Sequence, residues 1–362
     1  MKKVLHYVSK MDRAGQETFI MNVFRHINRD KVKFDFLCTV PGVGDYDSEI
    51  RELGGKIRHI KLNRINNKFK HIDNVFLLYF YLRKYRNEYD VFQIHTQHAM
   101  DAFFSSVAAK LAGIHKVVVH SHNTYTLYNV PLHRMFKFFL NYLPIDRFAC
   151  SRAAGKWMFG KSKFQIINNG IELSKFKFDT CARDVVREKM GWRENFVIGH
   201  VGRFNGQKNH QFLVETFEKL NESVPNLKLV LIGKGEEEEK IKNEVNEFNL
   251  ENVEFLGTRE DIADLYQGMD LFLFPSLFEG LPVVLVEAQA NTLPCVISDR
   301  ITSEICINSN IYRLPIDSAK RWSEFIVDNL LDGRADDISN NLEDAGYSIQ
   351  RVSSKLERYY LR

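Results

Sequence analysis

The chain has 362 residues, of which 44% are hydrophobic and 27% charged, with a formal net charge of +4. Those figures describe a soluble globular protein, long for a single core and comfortable for two domains of about 170 residues. They argue against a membrane-spanning chain. The longest wholly apolar stretch, Val75 to Leu82, falls well short of the ~18 residues a spanning helix needs.

The charge is unevenly shared. Met1 to Thr180 carries 29 Lys+Arg and 15 Asp+Glu, a balance of +14, and the remainder carries 21 and 31, a balance of −10. A basic half joined to an acidic half suggests a different partner for each. An anionic membrane surface or a phosphate-linked acceptor suits the first, and a mere difference in solvated surface carries nearly equal weight. The five cysteines, Cys38, Cys150, Cys181, Cys295 and Cys306, are odd in number, and no two are close enough for a metal knuckle. A reduced, cytosolic compartment is therefore expected. The opening MKKVLHYVS has too short an apolar run for a signal peptide and reads as a first strand.

Val4 to Val8 is that strand, and a helical pattern begins at Glu17. Gly15 lies between them, where the backbone could approach a ligand at a helix N-terminus; a plain strand–helix turn would look the same. Further apolar runs at 34–38, 57–60, 91–95, 117–120 and 147–150 alternate with helical stretches near 70–87, 99–112, 130–142 and 152–159. Alternation at this rate predicts a parallel sheet wrapped by helices. Two of the helical segments, Lys68 to Arg86 and Tyr125 to Phe139, interleave aromatic residues with bases. Most such helices bury an apolar stripe on their own sheet; a few lie in a membrane interface. No nucleic-acid module accompanies the charge, so no nucleic-acid partner is expected. His120, Ser121, His122 and Asn123 close the strand KVVVHSHN at the edge where doubly wound sheets bind ligands. No third ligand stands at metal spacing, so no metal is expected. For either histidine alone, a structural role is the default.

From Ser174 to Asn195 the pattern turns polar, and the linker is placed there, dividing 1–178 from 179–345. A second alternation restarts with the strand Phe196 to Val201. The turn Gly202-Arg203-Phe204-Asn205-Gly206-Gln207-Lys208 follows it, and a helix from Gln211 to Asn221 comes next. Arg203 and Lys208 flank the turn, where a guanidinium forks over phosphate oxygens and an ammonium gives a point charge. Two solvated bases would be the ordinary reading of that spacing. Leu227 to Ile232 is the next strand, with Gly233-Lys234-Gly235 as its turn. Glu236 to Glu239 read as acids in the first turn of a helix, favourable to its dipole.

The most informative stretch is MDLFLFPSLFEGLPVVLVEAQANTLPCVISD, Met269 to Asp299. Leu271 to Phe274 is a short apolar strand buried on both faces, Gly280 loosens the loop, and Pro282 sits where a helix likes its first residue. The helix, roughly Leu281 to Asn291, leads into a strand from Pro294 to Ser298. Its N-terminus stands at the carboxyl end of a strand, where such folds bind phosphates. Glu279 lies in the loop and Glu287 about a turn and a half down the helix. That spacing suits a ligand with hydroxyls on both sides of a phosphate pair, whereas a loop acid and a solvated helix residue would be the ordinary reading of the bare spacing.

In order along the chain, RAGQ, HSHN, GRFNGQK and FEGLPVVLVEAQA resemble the family 4 glycosyltransferases, whose E-x7-E signature matches Glu279 and Glu287. The resemblance is to members serving bacterial capsular, exopolysaccharide or O-antigen biosynthesis. It implies an α/β GT-B fold of two facing Rossmann-like, doubly wound domains with a cleft between them. The helix of residues 346–362 would cross back to the first domain. It also implies a nucleotide-sugar donor, UDP- ahead of GDP-, and transfer with retained anomeric configuration to a lipid-linked or polysaccharide acceptor. No metal is called for, since Lys and Arg can do that task; the expected setting is cytoplasmic, with peripheral attachment to the cytoplasmic face of the inner membrane as one option. By the same resemblance His122 and Glu279 stand beside the transferred sugar, with His120 as the alternative histidine, and Arg203 and Lys208 hold the pyrophosphate. Gly15, Gly202, Gly233, Gly280 and Leu281 line the donor and Glu287 holds the ribose, while Arg13, Gln16, His120 and Asn123 fall on the acceptor side. The family pattern has a small residue and Gly where this chain has Asn291 and Thr292, which places the helix C-cap in question. Two other functions stay open. A GT-B epimerase would have no use for the aromatic basic segments, and a non-catalytic nucleotide-sugar sensor would keep Glu287, Arg203 and Lys208 without needing His122.

Overall fold

Short apolar runs, each followed by a helix, leave parallel strands with both faces to bury. The computed structural model describes residues 1–62, 70–126, 129–331, 334 and 341–362, and these form two units. The first comprises Met1–Gly170 and Ile349–Arg362, and the second Ile171–Ser348.

In the first unit the strands are β1 (Lys2–Val8), β2 (Val32–Cys38), β3 (Ile57–His59), β4 (Val91–Thr96), β5 (Lys116–Ser121), β6 (Asp146–Ala149) and β7 (Gln165–Ile166). They pair in parallel in the order β3-β2-β1-β4-β5-β6-β7. The order reverses between β1 and β4, which sets a ligand crevice at their carboxyl ends. Phe19, Phe24, Phe34, Phe36 and Phe148 fill one core around β1; each such buried side chain contributes about 1.5–3 kcal/mol. The helix Ile349–Leu361 belongs to the same core. Val352, Leu356 and Tyr360, four residues apart, face it, and Tyr359 donates to Asp146 at 2.5 Å.

The second unit contains β8 (Phe196–Val201), β9 (Leu227–Ile232), β10 (Val253–Gly257), β11 (Leu271–Phe274), β12 (Cys295–Ser298) and β13 (Ile311–Leu314). Their order is β10-β9-β8-β11-β12-β13, again parallel, with the reversal between β8 and β11. All four residues of β11 are fully buried.

The chain divides at Gly170, eight residues before the sequence boundary, because the helix Leu173–Phe176 packs within the second unit, with Phe176 against Tyr266. The expected linker is not irregular throughout. Thr180–Met190 is a helix capped by the Asp179 side chain. Its arginines bind inward: Arg187 donates to Gly268, Trp192 and Asp270. The unusual pair after the second glutamate is accommodated too. Thr292 takes the left-handed conformation at φ 53° that glycine adopts more easily. Asn291 is fully buried, donating to Phe176 and accepting from Arg334 at 2.7 Å.

Candidate active site

The β8/β11 reversal of the second unit holds most of the residues singled out in the sequence. The loop after β8 carries Arg203 and Lys208, and the loop after β11 carries Glu279, Gly280 and Leu281. The two loops are laced together. Lys208 Nζ reaches Glu279 Oε1 at 2.7 Å with both side chains largely buried, and it also lies 4.5 Å from the Phe274 ring centre. Gln207 donates to the Phe278 carbonyl at 2.9 Å, its own carbonyl accepts from the Leu277 amide at 2.8 Å, and Asn209 donates to Pro275. Gln207 and Asn209 were missed in the sequence. Their signal is polarity in a turn that contains glycine, which any surface turn shares.

Arg203 is exposed and pairs with Glu236 at 3.1 Å. The acids are thereby corrected: the helix starts at Glu238, so Glu236 precedes it and serves Arg203 rather than the helix dipole. Helix Val283–Ala290 begins two residues after the expected Leu281, with Pro282 as its N-cap rather than its first residue. Its N-terminus therefore opens beside Gly280 and the buried Leu281. Glu287 lies on that helix, partly buried, and receives the Tyr266 hydroxyl at 3.4 Å. Burial pushes its carboxyl up to about 7.

The glycines have a reason other than nearness to a ligand. A Cβ on Gly233, whose φ is +140°, would stand 2.0 Å from the Gly202 carbonyl oxygen, and one on Gly202 would stand 2.8 Å from His200 Nε2. The loops after β8 and β9 thus pack backbone on backbone. Gly15, by contrast, starts the helix Gly15–His26 with open space where its Cβ would be.

In the first unit, Arg13 and Gln16 stand at the carboxyl end of β1. The Arg13 amide donates to Asp45, and Gln16 donates to Glu17 at 2.9 Å. Glu17, not singled out in the sequence, is almost wholly buried, which pushes it up to about 7. At the end of β5, Asn123 is buried and its side-chain oxygen accepts from the Thr124 amide. His120 is fully buried, with its ring centre 4.1 Å from that of His122.

Two more histidines join them. His95 on β4 pairs in register with His120; its Nδ1 lies 2.9 Å from His122 Nε2, and its Nε2 lies 2.9 Å from His6 Nδ1 on β1. The expectation that no third ligand stands near HSHN is corrected here, since spacing along a chain cannot reveal a neighbour supplied by the adjacent strand. Among the described residues, His95, His120 and His122 bring ligand atoms within 4.8 Å of one another. The geometry is nevertheless that of hydrogen-bonded rings. Two nitrogens on a tetrahedral zinc with bonds of 2.0–2.1 Å stand about 3.3 Å apart, wider than the 2.9 Å between His95 and His122. Gln93 donates its amide to His120 Nδ1 at 3.4 Å, while its carbonyl accepts from Tyr360 at 2.7 Å.

Residues 13–175 match the family described as Glycosyltransferase Family 4, and residues 183–326 that described as Glycosyl transferases group 1. The putative glycosyltransferase EpsF of Bacillus subtilis (strain 168) is 35% identical, covering 99% of this chain and 96% of its own length. An Escherichia coli UDP-Gal:alpha-D-GlcNAc-diphosphoundecaprenol alpha-1,3-galactosyltransferase is 27% identical over 85% of this chain and 82% of its own. The crystal structure of Anabaena HepE with UDP and glucose superposes with a TM-score of 0.75 at 18% identity, covering 100% of this chain and 96% of that one. Two Rossmann-like parallel sheets, each with its loops at a strand-order reversal, define a GT-B architecture. The chain belongs to the family 4 glycosyltransferases.

Proposed function

We propose that the chain transfers a hexose or hexosamine from a nucleotide-sugar, UDP- ahead of GDP-, to a hydroxyl of a lipid-linked or polysaccharide acceptor. Retention at the anomeric carbon and independence of metal belong to the same reading. The observation that carries it is the Lys208–Glu279 pair beside Arg203 and a helix N-terminus at the β8/β11 reversal. Lys208, Arg203 and the N-terminal dipole of helix Val283–Ala290 would stabilise the charge of the departing nucleoside diphosphate as it develops. Glu279, which pairs with Lys208, is read as the second unit's group for the transferred sugar, and His122 as the first unit's. Glu287 is placed on the ribose. The Escherichia coli relative, named for a UDP-galactose donor and a diphospholipid acceptor, supports the donor and acceptor classes.

Replacing Arg203 or Lys208 by Ala should weaken nucleoside diphosphate binding by about 1.5–3 kcal/mol each, the range for hydrogen bonds to charged groups. Unphosphorylated nucleoside should bind as before. Calorimetry showing both variants binding the diphosphate like wild type would rule the assignment out. Glu287→Ala should cost nucleotide affinity, whereas Glu279→Ala should depress turnover and leave that affinity nearly intact.

The first unit suits an anionic membrane surface. Helix Lys70–Tyr85 buries Leu78 and Leu82 against the sheet yet exposes Phe76, Leu77 and Phe80. Helix Val130–Leu140 exposes Met135, Phe138 and Phe139. Both pack against helix Ala99–Leu111, so aromatic residues and the exposed Arg83, Lys84, Arg86 and Arg134 share one flank. Bases near an anionic surface contribute about 1 kcal/mol each. Lys68 and the side chain of Lys70, which belong to the same basic set, lie outside the described residues. The protein should sediment with anionic vesicles at low salt and be released as salt rises. Changing Lys68, Lys70, Arg83, Lys84 and Arg86 to Gln should free it without altering nucleotide binding. Wild-type protein left in the supernatant at low salt would point to a soluble acceptor.

A further inference from the structure

Three imidazoles of the first unit are joined end to end, His6 to His95 and His95 to His122, with 2.9 Å between nitrogens at each contact. Burial lowers His6 and His122 to about 3 and His95 well below its ordinary value, so all three rings are neutral near pH 7. A neutral imidazole has one N–H and one bare nitrogen. The two contacts can therefore be satisfied together in only two ways: every ring protonated on Nδ1, or every ring protonated on Nε2. Any mixed arrangement sets two N–H groups or two lone pairs face to face in a low-dielectric interior.

The chain ends at His6 Nε2 and His122 Nδ1, both buried and without a hydrogen-bond partner among the described residues. The ends differ in their surroundings. His6 lies with its ring centre 4.2 Å from that of Phe34 and 5.5 Å from that of Phe36. His122 follows β5 at the ligand-binding edge and is only partly enclosed. His120 stands outside the chain, because the Gln93 amide donates to its Nδ1 and so leaves its proton on Nε2.

We propose that His6, His95 and His122 form one tautomeric unit, in which His95 is a positioning residue that sets whether His122 offers its Nδ1 as donor or as acceptor. The proposal rests on the reading of His122 as the residue beside the transferred sugar. A sugar hydroxyl that accepts from Nδ1 holds all three rings in the Nδ1–H form, and one that donates to Nδ1 holds all three in the Nε2–H form. Conversion of one form into the other passes protons from ring to ring along the two contacts, with one proton taken up at one end of the chain and one released at the other, so the net charge of the unit is unchanged.

The test is nitrogen NMR of the full chain labelled with ¹⁵N-histidine, the rings assigned by single His→Phe variants. In the ligand-free wild type, His6, His95 and His122 should carry the proton on the same nitrogen. One ring of opposite tautomer, or an imidazolium at pH 7, would overturn the proposal. His95→Phe keeps the ring shape and severs both contacts, so His122 should become a mixture of tautomers. With whichever UDP- or GDP-sugar the wild type turns over, kcat of His95→Phe should fall roughly tenfold, the scale of one hydrogen bond. Affinity for the nucleoside diphosphate should not change. His95→Asn, whose amide donates and accepts, should recover part of the loss. Wild-type kcat in His95→Phe would end the positioning role. The spectra need no donor, which separates the two failures: linked tautomers with full turnover in His122→Phe would sink the placement of His122 beside the sugar and leave the tautomeric unit standing.

Discussion

Replacing Asp270 by Ala should destabilise the second unit by about 3–5 kcal/mol, the cost of removing one partner from a buried ion pair. Asp270 accepts from Arg187 at 2.9 Å and from the Val197 amide at 2.8 Å, and it pairs with Arg183. Arg334 is close by, donating to the carbonyls of Tyr266, Met269 and Asn291, and burial lowers its guanidinium to about 9. Among the described residues one carboxylate thus serves a cluster of three arginines. Without it Arg187, 9% exposed, keeps its carbonyl acceptors but loses its counterion. The thermal transition of that unit should fall by roughly 6–20 °C. Asp270→Asn, which retains an acceptor for the Val197 amide, should fall between the two. A loss below about 1 kcal/mol in urea titrations of Asp270→Ala would show that the cluster is solvated instead.

Glu287→Gln should leave stability unchanged near pH 4 and raise it by roughly 1–3 kcal/mol at pH 8, the upper end being the whole shift of the carboxyl. The folded chain holds the Glu287 proton up to about pH 7, against 4.5 for the ordinary group. Between those values the folded state binds more protons than the unfolded one, so its stability falls as pH rises. The contribution is fully present below 4.5 and is lost by passage through 7. Glutamine has no such proton and removes that slope. Glu17, pushed by burial to about 7, gives a slope in the same window that persists in the variant. The quantity to measure is therefore the difference between the two proteins at each pH. A difference that does not change between pH 4 and pH 8 would show Glu287 to be ionised throughout.

What was legible in the sequence was local. Glu279, Gly280, Pro282 and Glu287 sit within one strand–loop–helix unit, so the apolar strand, the glycine and the proline located the first three at a helix N-terminus and Glu287 further down that helix. Arg203 and Lys208 were legible for the same reason. Partners supplied by a neighbouring strand were not: His95 meets His120 only through the register of β4 and β5, and His6 enters from β1. The Tyr266 hydroxyl on Glu287 joins residues 21 apart in sequence and gives no periodic signal. The helix Thr180–Met190 was hidden by its own chemistry. Arg183 and Arg187 look like solvated charges until the carbonyls they bind are known. Strand β13 was missed because Ile311–Leu314 is half-buried at a sheet edge and includes an exposed Arg313.

The return of helix Ile349–Leu361 to the first core has a consequence for the order of biosynthesis. Nascent domains commonly fold in sequence, the N-terminal one first. Here the first sheet leaves the ribosome without the Val352, Leu356 and Tyr360 side chains that cover Phe34 and its neighbours. All of Ile171–Ser348 must be translated before they arrive, an interval of roughly 10–35 seconds at ordinary elongation rates. The second unit, whose strands all lie within that span, can close on itself during the interval. The half made first is thus finished last, and until then its aromatic face is a surface for chaperones to hold.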